Sequence, residues 1–303
     1  MFRASALFAV TAVMFAVPGL RAGGPPAIDP ASYDYVLIKA PFGSPSTYTN
    51  LLGLNDRGQI VGFWYDPTIP GGDVHPFLYD DGRFVDLDPH LAGVRDTRPL
   101  AINNKGQVVG TYRINEQQFP FLYEDGLFTT LPVPNGSPSG INDRGDIVGS
   151  LFDSAGTHGF LYSRGVLTLI DVPDVYASVA ADINNRGQVV GYYRTTPGAT
   201  NPFFHGFEYD RGRFTLLDVP FFTPPDTTPR GINARGQVVG SSFEWVSGRP
   251  VMLHGFFYDS GRFVRFDVGR DTSLRRINAR GQIIGNFADD TGLHDFLATP
   301  KSN

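Results

Sequence analysis

The chain has 303 residues, a formal net charge of −5 and no cysteine, which excludes disulfides, thiolate metal sites, a cysteine nucleophile and a lipid-modified cysteine. No basic patch interrupts the acidic balance, so nucleic acid is not an expected partner. With 41% hydrophobic residues, 13% aromatics, 36 Gly and 24 Pro, the composition describes a folded chain of short strands and frequent turns, not long helices.

Residues 1–22 read as a signal peptide. Arg3 supplies the positive start, Ala4 to Val17 is an apolar stretch of 14 residues, Pro18 and Gly19 break it, and Leu20-Arg21-Ala22 forms the cleavage site. The stretch falls short of the ~20 residues of a membrane helix. Cleavage removes two arginines, Arg3 and Arg21, and no acid, which takes the charge from −5 to −7. The mature protein is expected to be secreted or periplasmic, without a membrane span. Residues 23–32 follow as a linker, and Tyr35-Val36-Leu37-Ile38-Lys39-Ala40 then reads as a strand with no partners of its own.

From there one phrase recurs six times, first as Leu54-Asn55-Asp56-Arg57-Gly58-Gln59-Ile60-Val61-Gly62, with spacings of 48, 39, 42, 49 and 45 residues between its asparagines. A second phrase follows each copy, first as His75-Pro76-Phe77-Leu78-Tyr79 with Asp81-Gly82 behind it. Each unit holds four β-rich runs, a to d. Asn-x-x-Gly separates a from b, and x-Gly separates c from d, both hairpin punctuation. Four antiparallel strands at this period make the blade of a propeller.

The predicted fold is therefore all-β: a six-bladed β-propeller over residues 33–299, with four-stranded blades near 50–88, 98–132, 138–171, 180–218, 229–267 and 274–298. The sixth unit ends before a strand d, and residues 33–40 are expected to supply it. That joining closes the ring and removes two open sheet edges. A solenoid would call for atypical capping units instead.

The two phrases, as in His158-Gly159-Phe160-Leu161-Tyr162 and in Gly231-Ile232-Asn233 followed by Gly236-Gln237-Val238-Val239-Gly240, resemble the bacterial extracellular repeats of the HAF family over residues 33–298. The resemblance implies an exported repeat protein. It brings no catalytic residues with it.

Five of the six histidines occupy one repeat position: His75, His158, His205, His254 and His294. A ring of metal ligands is one explanation, and a repeated structural hydrogen bond is the other. A two-residue c–d turn places His75 opposite Asp88, His158 opposite Asp171, His205 opposite Asp218 and His254 opposite Asp267. Phe119 meets Pro132 in the second unit, so both polar partners vanish together. These are read as cross-strand pairs worth about 0.2–1 kcal/mol each. His294 meets Lys39. Arg is a poor first residue in a turn that needs positive φ, and a three-residue turn would instead set Leu87 opposite His75.

The Asn-x-x-Gly phrase carries acidic or amide residues, as in Asn55-Asp56 and Asn142-Asp143, that calcium loops also use. Its third residue is Arg or Lys in every copy, which disfavours calcium and favours a plain turn. No metal and no cofactor is expected.

The a–b and c–d turns share one face and vary little, whereas the b–c and d–a loops share the other and vary in length. Specificity is expected on the variable face. Long b–c loops are expected at 66–74, 195–204 and 244–253, and long d–a loops at 89–97 and 219–228. Candidate ligand-binding residues there are Trp64, Trp245, Phe221 and Phe222, with Arg98, Arg230, Arg275 and Arg276 at the channel mouth. Aromatics beside arginines suit a sugar or an acidic glycan. Packing of Trp64 between blades and solvation of the arginines is the structural alternative.

Catalysis finds little support. There is no Gly-x-Ser-x-Gly phrase, no HExxH helix and no phosphate-binding loop. His90, the one histidine outside the repeat position, sits alone on a d–a loop. The expected function is a monomeric, non-catalytic binding module for a carbohydrate or a protein partner. A glycan hydrolase or lyase at the channel mouth, and a structural surface or matrix protein, are the alternatives.

Overall fold

The computed structural model describes residues 8–9, 29–41, 48–65, 74–90, 92–195 and 203–301. The expected leader and linker lie outside these residues except for Phe8–Ala9 and 29–32. So do residues 66–73 and 196–202 of two expected long loops. Among the described residues no helix is long and apolar enough to cross a membrane.

The first five repeats each fold as a four-run antiparallel meander, and the sixth contributes three runs. In the first, Tyr48–Leu54 pairs with Ile60–Tyr65, that strand with His75–Asp80, and the last with the outer strand Arg83–Asp86. The glycine closing the asparagine phrase faces the phenylalanine of the second phrase across the ladder, as in Gly149↔Phe160. A Cβ at Gly149 would lie 2.2 Å from the Ser137 carbonyl and 2.7 Å from the Phe160 ring. Only a bare α-carbon lets the inner strand and the ring approach so closely. The phenylalanines Phe77, Phe121, Phe160, Phe207, Phe256 and Phe296 are buried in consequence. The cores lie between adjacent sheets: Val239 and Phe257 of the fifth repeat pack with Leu274 and Phe296 of the sixth.

The c–d connections are two-residue turns with both central residues at positive φ, as at Asp81 (45°) and Gly82 (80°) or Arg164 (50°) and Gly165 (82°). These are type I′ turns, whose twist matches that of the flanking strands. The three-residue alternative is not seen among the described residues.

Hydrogen bonding groups the strands into five sheets. The second and fifth repeats each form a four-stranded sheet. The first adds Phe8–Ala9 at its outer edge, paired with Phe84 and Arg83. In the last sheet Tyr33–Leu37 pairs antiparallel with Gly292–Pro300, from Tyr33↔Pro300 to Leu37↔Phe296. The third and fourth repeats share one eight-stranded sheet through a single parallel bridge, Thr157↔Ala177. The expectation of a separate sheet for every repeat is corrected here. Gly156 allows the bridge: a Cβ there would sit 3.0 Å from the Tyr176 carbonyl.

The inner strands touch one another in sequence order, and the sixth, Arg270–Ile277, returns to the first. Their asparagines follow the same circuit. Asn55 Nδ2 donates to the Asn103 carbonyl (3.1 Å), Asn103 to Asn142 (2.9 Å) and Asn142 to Asn184 (3.2 Å). Asn184 donates to Asn233 (3.1 Å), Asn233 to Asn278 (3.1 Å) and Asn278 to Asn55 (3.0 Å). Each asparagine also ties its own turn, as where Asn55 Oδ1 accepts from the amides of Arg57 and Gln59, both at 3.0 Å. Sheets set radially around this circuit make the all-β fold a β-propeller.

Candidate functional site

All six inner strands slip register near their C-terminal ends, and the skipped residues are Leu52, Leu100, Ser139, Ala181, Arg230 and Arg275. Such bulges re-aim a side chain. The next position holds Gly53, Ala101, Gly140, Asp182, Gly231 and Arg276, where the strands crowd: a Cβ at Gly231 would lie 2.8 Å from the Arg276 α-carbon. Four of these six residues are small, and Asp182 and Arg276 stand in the remaining places.

Arg276 reaches across the channel. Its Nη2 donates to the Ser139 carbonyl of the third repeat (2.6 Å), and its Nη1 to the carbonyls of Arg230 and of Arg275 (2.9 Å to the latter). On the asparagine side a cavity of about 70 Å³ is lined by Arg276, Asp182 and the asparagine turns, but not by Arg230 or Arg275. Asp182 accepts from the amides of Ile183 (3.0 Å) and Ile232 (2.9 Å). Burial still pushes its carboxyl up, against these bonds and the charge of Arg276. Burial pushes Arg276 down, offset in part by Asp182.

Asp295 and Arg275 lie beside it, within electrostatic reach but without a hydrogen bond between them. Burial raises the Asp295 carboxyl to about 7, against the pull of Arg275 and a long bond from the Leu51 amide (3.4 Å). Burial lowers Arg275 to about 10, with Asp295 opposing and Arg230 and Arg276 adding to the shift. Asp182 and Asp295 are both enclosed, unlike the two carboxylates flanking an open cleft that glycoside hydrolysis uses.

On the loop face arginines lie over aromatic rings. Arg98 sits over Phe63 (5.1 Å), Arg194 over Phe204 (5.0 Å) and Arg230 over Tyr192 (5.9 Å). Tyr192 and Phe204 meet edge to face at 5.1 Å, which joins the last two pairs into one cluster. The ring holds the guanidinium plane and leaves its edge free for in-plane hydrogen bonds.

The expected aromatic residues separate. Trp64 stacks on His75 at 4.1 Å within its own repeat. Trp245 donates to Asp226 Oδ2 (2.8 Å) and packs edge-on against Phe203 (4.9 Å). Burial raises the Asp226 carboxyl although Trp245 and the Phe204 amide donate to it. Phe222 stacks on His254 at 5.0 Å, and the exposed Phe221 leans on Phe222. The long loop expected at 244–253 is corrected: Val238–Val246 and Arg249–Asp259 run on to a tight hairpin at Ser247 (φ 51°) and Gly248 (φ 75°).

Three histidine–aspartate pairs form: His158–Asp171 (2.7 Å), His205–Asp218 (2.7 Å) and His254–Asp267 (2.9 Å), each through Nδ1. The second carboxylate oxygen accepts from the following glycine amide, as from Gly159 to Asp171 (3.1 Å). His75 and Asp88 are not hydrogen-bonded among the described residues, which corrects that expectation. Pro76 replaces the glycine and has no N–H to offer. Asp88 accepts instead from the His90 amide (2.9 Å). His294 bonds Asp289 (2.9 Å) and Thr291 (2.8 Å). Among the described residues no cluster of three or more His, Cys, Asp or Glu suits a metal ion.

Of the sequence-predicted residues, Arg230, Arg275 and Arg276 come together. Asp182, Asp226, Asp295, Arg194, Tyr192 and Phe204 lie outside the set of sequence candidates. Asp182 and Asp295 were visible as departures from the repeat: Asp182 stands where other copies carry Gly, Ala or Arg, and Asp295 where they carry Gly or Pro.

No family model matches the chain, and no curated protein matches it. Among solved structures it is similar to TolB from Acinetobacter baumannii, with 10% identity, a TM-score of 0.48, and 71% of this chain and 56% of that chain covered. It thus spans little more than half of that protein. It is also similar to the β-propeller domain of the Trilobed protease from Pyrococcus furiosus, with 10% identity, a TM-score of 0.49 and 84% and 86% covered. A third is a subtype N11 neuraminidase-like protein of A/flat-faced bat/Peru/033/2010, with 12% identity, a TM-score of 0.43 and 89% and 94% covered. None of them carries a ligand or an activity over to this chain.

Proposed function

We propose that the chain is an exported six-bladed propeller, closed by its N-terminal strand, that binds a carbohydrate on the loop face of its channel. The six-membered asparagine circuit and the pairing of Tyr33–Leu37 with Gly292–Pro300 support the blade count and the closure. The apolar stretch at 4–17 and the HAF resemblance support export. Cleavage after Ala22 would remove Phe8–Ala9 from the outer edge of the first sheet.

The observation that carries the ligand class is the set of arginines laid on aromatic rings: Arg98 on Phe63, Arg194 on Phe204 and Arg230 on Tyr192. Aromatic faces pack against sugar rings, and guanidinium edges bond hydroxyls and carboxylates. Trp64 belongs to its blade, through His75. Trp245 borders the cluster through Phe203.

A glycan array probed with the mature protein beside Arg230→Ala and Trp64→Ala tests this. Binding that Arg230→Ala abolishes and Trp64→Ala preserves is expected. Array binding indifferent to Arg230→Ala, or no glycan binding at all, overturns it and turns attention to a protein partner.

A further inference from the structure

Arg276 divides the channel, and on its loop side four arginines are left over. The guanidinium groups of Arg98, Arg194, Arg230 and Arg275 donate no hydrogen bond and enter no ion pair among the described residues. Three of them rest on aromatic rings. Arg275 has no ring either, and its Nε is closed off from solvent without an acceptor.

The contrast with its neighbour is informative. Arg276, half-buried like Arg275, spends its guanidinium on three backbone carbonyls. A buried guanidinium nitrogen without an acceptor, as Arg275 Nε is, is costly, and folded proteins rarely leave one so. The nearby aspartates do not relieve it. Asp295 lies near enough to act on Arg275 by its charge but makes no hydrogen bond to it, and Asp182 is taken up by the amides of Ile183 and Ile232. Arg230, displaced by the bulge of the neighbouring inner strand, is the next cation. Two adjacent arginines whose guanidinium groups have no acceptor among the described residues suit a planar anion that accepts two N–H bonds at once.

We propose that Arg275 and Arg230 form a carboxylate site, which takes the acid group of an acidic sugar entering from the loop face. The site rests on the carbohydrate binding proposed above and specifies which sugars qualify. A neutral sugar offers no charge to Arg275. A uronic acid presents its carboxylate beyond the ring, so that the ring can lie against Tyr192 and Phe204 while the acid reaches inward.

The test is calorimetric titration of the mature protein with D-glucuronate, D-glucose and acetate at low ionic strength, in wild type, Arg275→Met and Arg275→Lys. Glucuronate is expected to bind at least about tenfold more tightly than glucose. Arg275→Met should lose that preference and Arg275→Lys keep part of it. A melting curve on each variant separates lost binding from lost folding, and Arg275→Met should melt no lower than wild type, because it removes a buried unpaired charge. Glucuronate binding unchanged in folded Arg275→Met, or absent in wild type, overturns the site. If neutral glycans bind through Arg230 and the Tyr192 cluster regardless of Arg275, the carboxylate site fails and the binding module stands. If acetate and glucuronate bind through Arg275 while no array glycan does, the carbohydrate module fails and the anion site stands.

Discussion

The side chain of Asn278 donates to the main-chain carbonyl of Asn55, 3.0 Å away in space and 223 residues away in sequence. The bond belongs to a circuit in which each repeat's asparagine holds the next repeat's turn, and the sixth holds the first. Its carboxamide oxygen also accepts from the amides of Arg280 and Gln282, each at 3.0 Å. Asn278→Ala leaves these amides and the Asn55 carbonyl without partners in a buried site. A loss of about 1–3 kcal/mol for such groups should lower the urea midpoint. A midpoint equal to wild type would show that the circuit adds nothing to closure.

The proposed closure can be tested at the outer strand of the last sheet, Tyr33–Leu37. Tyr33 packs edge to face on Phe266 at 5.2 Å, and Ile38 and Ala40 are buried against the first repeat, so the segment spans two cores. Deleting residues 33–40 should expose both cores and a sheet edge, giving a protein that melts markedly lower and self-associates. A truncated protein that stays monomeric with the melting temperature of wild type would contradict this.

The cross-strand contact of glycine with phenylalanine is a test of packing. Phe160→Ala removes a fully buried ring and should cost about 3–5 kcal/mol. Gly149→Ala adds one methyl where the Ser137 carbonyl stands 2.2 Å away, and overpacking should cost about 1–3 kcal/mol. Denaturant titration reads both. A neutral Gly149→Ala would mean the inner strand can shift freely.

How far the molecule was legible follows from what repeats. The hydrophobic phrases and their turn residues recur, so strands, pairing and the histidine–aspartate register could be read from number sums. Arg164 and Arg211 adopt φ of 50° and 48° because the twist of the hairpin outweighs the residue's own preference. The number sum alone predicts a His75–Asp88 pair, but the second anchor of such pairs is a backbone N–H, and Pro76 deletes it without altering either side chain. The length of 244–253 suggests a loop, but Ser247 and Gly248 both adopt positive φ and close a tight hairpin instead. The channel site was half-legible. Arg230, Arg275 and Arg276 stand out as charges in an apolar column, whereas the role of Asp295 depends on which neighbouring inner strand it faces, and only the folded ring supplies that.

His158 gives a pH-dependent term. Its hydrogen bond to Asp171 raises its pKa above 6.5, burial opposes this, and the charges of Asp171 and Asp153 add to the rise. Because the folded state favours the protonated ring, the stabilisation is fully present below the unfolded pKa and is lost as pH rises through the folded value. The stability difference between wild type and His158→Gln should therefore be larger at about pH 5 than at about pH 9. Parallel stability curves across that range would remove His158 as the source.

Asp295 works in the same direction through a different cause. Burial lifts its carboxyl from 3.8 to about 7, so the folded protein favours the neutral acid even with Arg275 nearby. A raised folded pKa again means stabilisation that is complete below the unfolded value and fades as pH climbs from about 4 to about 7. Asp295→Asn mimics the neutral acid at every pH. It should gain on wild type between about pH 5 and about pH 8, seen as a melting difference that moves in favour of the variant. If wild type instead gains on Asp295→Asn over that range, ionised Asp295 stabilises the fold through Arg275. The guanidinium would then have its acceptor within the chain.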